Sequence, residues 1–154
     1  MADPRLFHML HLCHRAVFRA ADRALTSRFG ITAAQHAALM FLAEQEGASM
    51  SALAAAVGLK PAAVSGLIDR MEKNGFLERC AAAKDRRSFE LFLKPAGRDI
   101  VKESKALIEE SNRYLLEGID DETREQIADF LEKVTVRAEA YSGEAINENE
   151  ELAL

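Results

Sequence analysis

The sequence predicts a mainly α-helical protein that carries one small β-hairpin. Apolar residues recur every three or four positions in long segments at both ends of the chain, which is the period of an amphipathic helix. Near the middle, two short helical segments meet at a tight turn around Gly58. Residues 88–93, SFELFL, contain alternating apolar residues, as in a strand with one buried face. At 154 residues the chain is long enough for one domain with its own core.

The N-terminal part predicts two helices. A first helix over residues 5–28 would carry one apolar stripe. The stripe consists of Phe7, Leu10, His14, Val17, Ala21 and Ala24. Gly30 suits the end of this helix and Thr32 can cap the start of the next, over residues 33–46. That second helix is apolar on several sides, so we expect it at the centre of the core.

Two short helices are predicted to follow and to form a helix-turn-helix. Ser49 is a plausible N-cap for a helix that ends at Gly58, and Pro61 suits the first position of the second helix. One face of this second helix is apolar and the other is small or polar. The apolar face holds Val64, Leu67, Ile68 and Met71, and the opposite face holds Ala62, Gly66, Asp69 and Lys73. Small outer side chains let a backbone approach another surface closely.

The hairpin and two long helices complete the predicted fold. A strand begins at Phe76, Leu77 and Glu78, and residues 88–93 return as its partner. The tip between them would hold Lys84, Asp85, Arg86 and Arg87. Amphipathic helices are expected at 95–117 and 121–141, with Asp120 as the cap of the second. The acidic tail 142–154 is expected to be disordered.

Charge is distributed unevenly along a chain with a net charge of −5. Residues 60–87 hold seven basic and four acidic side chains, a local balance of +3. This distribution favours a polyanionic partner although the net charge does not. No apolar run approaches the ~20 residues that span a bilayer, and the N-terminus lacks the layout of a signal peptide. We therefore expect a cytoplasmic protein with no membrane partner.

The segment LAAAVGLKPAAVSGLIDRMEKNGFLER, followed by DRR and LFLKPAG, resembles the MarR family of bacterial regulators. The resemblance covers roughly residues 5–141. It implies a winged helix-turn-helix DNA-binding lobe at 33–94, with dimerisation helices at 5–30 and 95–141, in a single MarR-like domain. Two lysines depart from the family pattern: Lys94 stands where a Thr is usual, and Lys60 where a Ser or Thr cap is common.

The resemblance implies that the helix from Pro61 to Asn74 enters the major groove of double-stranded DNA. The expected DNA contacts are Lys60, Ala62, Ala63, Ser65, Gly66, Asp69, Arg70, Lys73, Lys84, Arg86 and Arg87. Ser65 and Arg70 can donate to bases or phosphates, and the lysines attract phosphate whatever the sequence. Asp69 would repel phosphate unless it pairs with Lys73 or meets a cytosine amino group.

The arginines of the hairpin tip have a different implied role. By resemblance, Arg87 inserts into the minor groove, which is narrow and electronegative, and Arg86 contacts phosphate. Asp85 would orient the loop or pair with a nearby arginine such as Arg79. Read without their context, these residues would be an ordinary solvated turn.

Dimerisation and a small-molecule effector are also implied. A two-fold homodimer would set two recognition helices about 34 Å apart on a pseudo-palindromic operator. By resemblance, the effector pocket lies near the first, second and fifth helices, and the candidate ligand contacts there are His14, Val17, His36 and Met40. The most concrete reading is a ligand-responsive repressor that needs no cofactor.

Cysteines and histidines leave alternatives open. Cys13 and Cys80 show no spacing for a disulfide or a zinc site, and we expect both to be buried apolar residues. Cys13 could instead sense oxidants, if a neighbouring histidine such as His14 lowers the pKa of its thiol. His8, His11 and His14 fan around a helix, so they form a metal site only with help from a partner chain. We otherwise predict no metal.

Two other function classes remain to be weighed. A helical protein–protein interaction module with a winged shape would bind no DNA and would not need Arg86 or Arg87. An enzyme is disfavoured, because the sequence shows no Gly-rich phosphate loop, nucleophile–base arrangement or metal-ligand motif.

Overall fold

A computed structural model describes residues 5–81 and 89–141 of the chain. It divides into two compact units, Met1–Ile108 and Glu109–Leu154. The six helices of the described residues are α1 (Leu6–Phe29), α2 (Ala33–Glu44), α3 (Met50–Val57), α4 (Pro61–Lys73), α5 (Pro95–Leu115) and α6 (Asp121–Ala140). The three strands are β1 (Ala48–Ser49), β2 (Leu77–Ala81) and β3 (Phe89–Leu93). The mainly α fold class predicted from the sequence is confirmed.

The first two helices lie within two residues of their predicted bounds: α1 spans Leu6–Phe29 rather than 5–28, and α2 spans Ala33–Glu44 rather than 33–46. Gly30 ends α1 in the left-handed conformation, with φ of 67°, and its N–H donates to the Thr26 carbonyl. Thr32 and Gln35 form a reciprocal capping box at the start of α2. The Ala33 N–H donates to Asp22 Oδ1 at 2.9 Å, so a side chain of α1 also fixes the start of α2.

The helix-turn-helix is formed by α3 and α4. The Ser49 hydroxyl accepts from the Ala52 N–H at 3.1 Å and caps α3, which ends at Gly58 with φ of 64°. Pro61 occupies the first turn of α4, where a missing N–H costs nothing. Val64, Leu67, Ile68 and Met71 are all buried, so the predicted inner face of α4 is confirmed.

The sheet has three antiparallel strands in the order β1-β3-β2. β2 and β3 pair from Leu77 with Leu93 to Ala81 with Phe89, which confirms the hairpin. Phe76 lies before the strand rather than in it, because its N–H instead donates to the Met71 carbonyl at the end of α4. The third strand, β1, was not predicted, since two residues are too few to show a period.

The core of the N-terminal unit joins its helices to its sheet. Its buried residues include Leu25, Ile31, Leu39, Leu42, Leu53, Ile68, Met71, Leu77, Leu91 and Leu93. The start of α5 is held close to the residue before β2, because the Lys94 N–H donates to the Phe76 carbonyl at 2.9 Å. Gly97 approaches the same carbonyl so closely that an added Cβ would lie 2.2 Å from its oxygen. The packing of α5 against Phe76 therefore requires a glycine at position 97.

The C-terminal unit contains the last turns of α5 and all of α6. Asp120 caps α6, accepting from the Thr123 N–H at 2.9 Å, as the sequence predicts. Arg124 reaches back to the Leu116 carbonyl at 3.0 Å and ties α6 to the end of α5. Yet no residue of α6 is buried. Its exposed large apolar residues are Ile127, Phe130, Leu131 and Val136.

Within residues 5–81 and 89–141, no single helix is both long and apolar enough to cross a bilayer. Among the described helices, only α3 and α4 taken together have the length and composition of a membrane span, and the pair is bent by 105°.

Candidate nucleic-acid interface

The outer face of α4 is small and positively charged at its ends. Lys60 precedes the helix without capping it through its side chain, which is the outcome expected for a lysine at this position. Ala62, Ala63, Arg70 and Lys73 are exposed, and Ser65 and Gly66 are half-buried. All six therefore lie on the solvent side of α4 or at its edge, as predicted.

Gly66 leaves an open space in the middle of this face. A Cβ built on Gly66 would have no atom within 4 Å among its neighbours. The backbone of α4 is therefore uncovered at Gly66, and the preceding turn of the helix carries only the methyl groups of Ala62 and Ala63 on this face. A surface of this kind can approach the edge of a base pair closely.

Asp69 does not have the partner that helical spacing suggests. Its carboxylate accepts from the guanidinium of Arg79 on β2 at 2.5 Å, and Arg79 also donates to Glu72 Oε2 at 2.6 Å. The structure thus replaces the predicted Asp69–Lys73 pair with a pair across two elements. Arg79 on the strand can reach both carboxylates because Asp69 and Glu72 lie three residues apart on one side of α4.

Glu72 adds a further bond to this cluster, because its Oε1 accepts from the Arg79 backbone N–H at 3.1 Å. Burial by itself would lower the pKa of Arg79, but the hydrogen bonds and charges of Asp69 and Glu72 outweigh it and raise the pKa above the usual guanidinium value. Arg79 therefore remains charged. Sequence reasoning did not find Glu72, since a pairing across seven residues and two elements leaves no periodic signal.

The four predicted residues of the hairpin tip cannot be placed. Lys84, Asp85, Arg86 and Arg87 lie outside the described residues. Asp85, the partner suggested for Arg79, is one of these four, and within the described residues Arg79 pairs with the two carboxylates of α4.

The four candidate ligand contacts have different environments. His36 is buried, and its Nε2 lies 2.8 Å from the hydroxyl of Ser104 on α5. That hydroxyl donates to the Val101 carbonyl at 3.2 Å, so it accepts from the Nε2–H of His36. His14 instead contacts Phe18 of its own helix, with 5.5 Å between ring centroids and 31° between the ring planes. Val17 and Met40 are exposed apolar residues of α1 and α2.

Burial lowers the pKa of His36, because the charged imidazolium loses hydration inside the core. A neutral His36 at physiological pH is consistent with one N–H donated to Ser104. Its position suits a packed link between α2 and α5 at least as well as a ligand contact. Ser104 lies within the helix predicted at 95–117, but a period cannot show that its hydroxyl would meet a histidine 68 residues away.

The prediction that both cysteines are buried is wrong for this chain. Cys13 and Cys80 are exposed, Cys13 on α1 and Cys80 on β2. Small size and low polarity favour burial in general, but the positions lie on outer faces of their elements. His8, His11 and His14 are exposed as well. Within residues 5–81 and 89–141, no three His, Cys, Asp or Glu side chains are grouped closely enough to hold a metal ion.

Comparison with known proteins gives a consistent result. A model of the MarR family matches residues 29–88. The HTH-type transcriptional regulator YsmB of Bacillus subtilis is 30% identical over 115 residues, which are 75% of this chain and 77% of that protein.

Two solved structures show the same fold. A MepR–DNA complex from S. aureus superimposes with a TM-score of 0.79 at 22% identity, covering 88% of this chain and 99% of MepR. BpsR of Bordetella bronchiseptica, whose DNA binding is regulated by 6-hydroxynicotinic acid, gives a TM-score of 0.76 at 25% identity, covering 85% of this chain and 98% of BpsR.

Proposed function

Because the chain belongs to the MarR family of DNA-binding transcriptional regulators, we propose that it is a ligand-responsive repressor that acts as a homodimer on a pseudo-palindromic operator. In this proposal α4 enters the major groove of double-stranded DNA. The observation that carries it is the outer face of α4, which exposes a backbone next to Gly66 between the positive charges of Lys60, Arg70 and Lys73.

The chemistry of this face suits DNA in two ways. Lys60, Arg70 and Lys73 attract phosphates whatever the sequence, and this attraction weakens as salt rises. Ser65 and Arg70 can donate hydrogen bonds to base edges, and the methyl groups of Ala62 and Ala63 can contact thymine methyl groups. Lys84 and Arg86 would add phosphate contacts, and Arg87 would enter the minor groove.

A homodimer explains the apolar residues that each unit exposes. In the N-terminal unit, the first turns of α1 expose Phe7, Met9 and Leu12. In the C-terminal unit, α6 exposes Ile127, Phe130 and Leu131, which lie three and four positions apart and so share one face of the helix. Apolar surface of this kind is stabilised when a second copy covers it. Two copies would present two α4 helices to successive turns of DNA.

Effector control is supported by a structural relative. BpsR, a structural relative, responds to a small aromatic acid. By analogy, a ligand contacting His14, Val17, His36 or Met40 would favour a dimer whose recognition helices are wrongly spaced, and so release DNA. Oxidation of the exposed Cys13 is the alternative signal. A cytoplasmic location follows from the proposed function.

A gel-shift experiment tests the proposed function. Labelled duplexes covering the DNA upstream of the chain's own gene, and a random-sequence duplex, are titrated with protein at two salt concentrations. We expect at least one upstream duplex to bind more tightly than the random duplex, and all binding to weaken steeply at the higher salt concentration. Absence of any complex even in dilute buffer would support an interaction module without DNA binding.

The variant Arg87→Ala tests whether the hairpin tip contributes to DNA binding. We expect it to weaken DNA binding about tenfold while the circular dichroism spectrum stays unchanged, because a minor-groove arginine contributes both charge and shape readout. The matched control is Arg137→Ala, which removes the same charge from the last turn of α6. If both variants lose affinity equally, the effect is one of net charge, and the role assigned to Arg87 is wrong.

A further inference from the structure

The cluster of Arg79, Asp69 and Glu72, here called the Arg79 clamp, joins the recognition helix to the first strand of the hairpin. Arg79 uses both terminal nitrogens: Nη1 donates to Glu72 and Nη2 donates to Asp69. Its own backbone N–H donates to the other oxygen of Glu72. Three hydrogen bonds therefore hold β2 against the last turns of α4.

The two ends of the clamp differ in exposure. The Arg79 side chain is 19% exposed, whereas that of Asp69 is 61% exposed. Asp69 thus lies on the solvent side of α4, together with Arg70 and Lys73, on the surface proposed to meet DNA. An unpaired carboxylate there would repel phosphates. The guanidinium of Arg79 bridges the two carboxylates, and its single positive charge offsets half of their combined negative charge, which reduces this repulsion.

We propose that Arg79 is a positioning residue for DNA recognition. Its positive charge offsets one of the two negative charges of Asp69 and Glu72, so that the outer face of α4 can approach the DNA backbone, and its hydrogen bond occupies the Asp69 carboxylate. The inference rests on the proposed placement of α4 in the major groove. The partners of Arg79 in this inference are Asp69 and Glu72 on the recognition helix, whereas the sequence suggested Asp85 in the hairpin tip.

A consequence concerns which bases α4 can read. Carboxylates read cytosine by accepting from its amino group. Asp69 is engaged with Arg79, so specific reading by α4 falls to the donors Ser65 and Arg70. Replacing Asp69 with Asn should therefore leave the preferred sequence unchanged.

The test is a charge-rescue experiment with random-sequence duplex DNA at low salt, which needs no knowledge of the operator. Arg79→Met removes the guanidinium but keeps an apolar stem of similar length. We expect it to weaken binding about tenfold, because two carboxylates are then unpaired near phosphate. Adding Asp69→Asn in the double variant should restore most of the affinity. Asp69→Asn alone should change it by less than about threefold.

Two controls separate this effect from net charge and from misfolding. Arg98→Met breaks another arginine–carboxylate pair, with Glu46, and changes the net charge by the same amount, but it touches neither α4 nor β2. We expect it to change affinity far less than Arg79→Met does. Thermal unfolding followed by circular dichroism checks that each variant is folded. Arg79→Lys, which keeps the charge, should retain more affinity than Arg79→Met.

The outcomes are distinct. If the unaltered protein binds no duplex, the proposed function fails and the clamp inference falls with it. If the unaltered protein binds DNA but a folded Arg79→Met/Asp69→Asn variant is as weak as Arg79→Met, Arg79 has only a structural role and the inference alone is wrong. The inference is also wrong if Arg79→Met binds as tightly as the unaltered chain.

Discussion

The two units of the chain use the same kind of amphipathic helix with opposite results. In Met1–Ile108, apolar residues of α2, α3 and α4 are buried together, and Leu39 is 0% exposed. In Glu109–Leu154, α6 has an equally regular apolar repeat but no buried residue, and Leu131 is 46% exposed. A repeat in the sequence shows that one face is apolar; it does not show what covers that face.

The helix α1 shows the same contrast within one element. Leu25, near its end, is buried in the core, while Phe7, near its start, is 86% exposed. The first part of α1 and the whole of α6 are therefore the regions where a second copy would contribute most. We expect substitutions in the covered region to act at any protein concentration, and those in the uncovered regions to act through association.

The largest expected effect comes from truncating a buried side chain of the core. Leu39→Ala should lower the free energy of unfolding by about 2–5 kcal/mol, since it leaves a cavity among fully buried neighbours. Leu131→Ala is the matched truncation on α6 and should act mainly by raising the dissociation constant of the dimer. Urea unfolding at several protein concentrations separates the two. A loss below about 1 kcal/mol for Leu39→Ala would contradict the buried core.

The next largest effect on stability is expected from substituting Gly97, with Gly66 as the comparison. Gly97→Ala should destabilise the N-terminal unit by about 3 kcal/mol, because the new methyl group would clash with the Phe76 carbonyl, a backbone atom that cannot rotate away. Gly66→Ala, the same substitution inside α4, meets open space and should stabilise the helix by about 0.5–1 kcal/mol. Thermal unfolding compares them directly. Equal effects of one sign would show that α5 does not pack on Phe76.

The smallest expected effect is a pH dependence that belongs to the N-terminal unit. Burial lowers the pKa of His36, so the unfolded chain binds more protons than the folded chain just below the ordinary histidine pKa of about 6.5. The stability contribution is fully present above that pH and is lost as the pH falls below it. His36→Gln, which keeps a donor for Ser104, should flatten this dependence. The check is the unfolding midpoint of both proteins between pH 7.5 and 5. An unchanged slope in the variant would rule out His36 as its source.

Local signals in the sequence predicted most of the fold. Thr32, Ser49 and Asp120 cap helices as expected, and Gly30 and Gly58 end them, because capping depends on residues within one turn. The buried side of α4 also followed directly from its apolar spacing. These features need no knowledge of tertiary structure.

The parts that the sequence did not predict depend on contacts between distant segments. β1 exists because Ala48 and Ser49 pair with Leu91 and Glu90, more than 40 positions away. Asp69 pairs with Arg79 rather than with Lys73, because β2 lies beside α4 and the Arg79 guanidinium has two donor nitrogens within reach. The exposure of both cysteines likewise depends on which faces their helix and strand turn outward. No periodicity within one element carries this information.

The most direct measurement of the central claim is sedimentation velocity of the chain alone and with a fluorescent duplex that it shifts in gels. The free protein should sediment as a dimer of about 34 kDa, twice the chain mass of 17.0 kDa. The complex should contain two chains per duplex. A free protein that remains a single chain at micromolar concentration, or a duplex that binds one chain or none, would contradict the claim that paired recognition helices bind DNA.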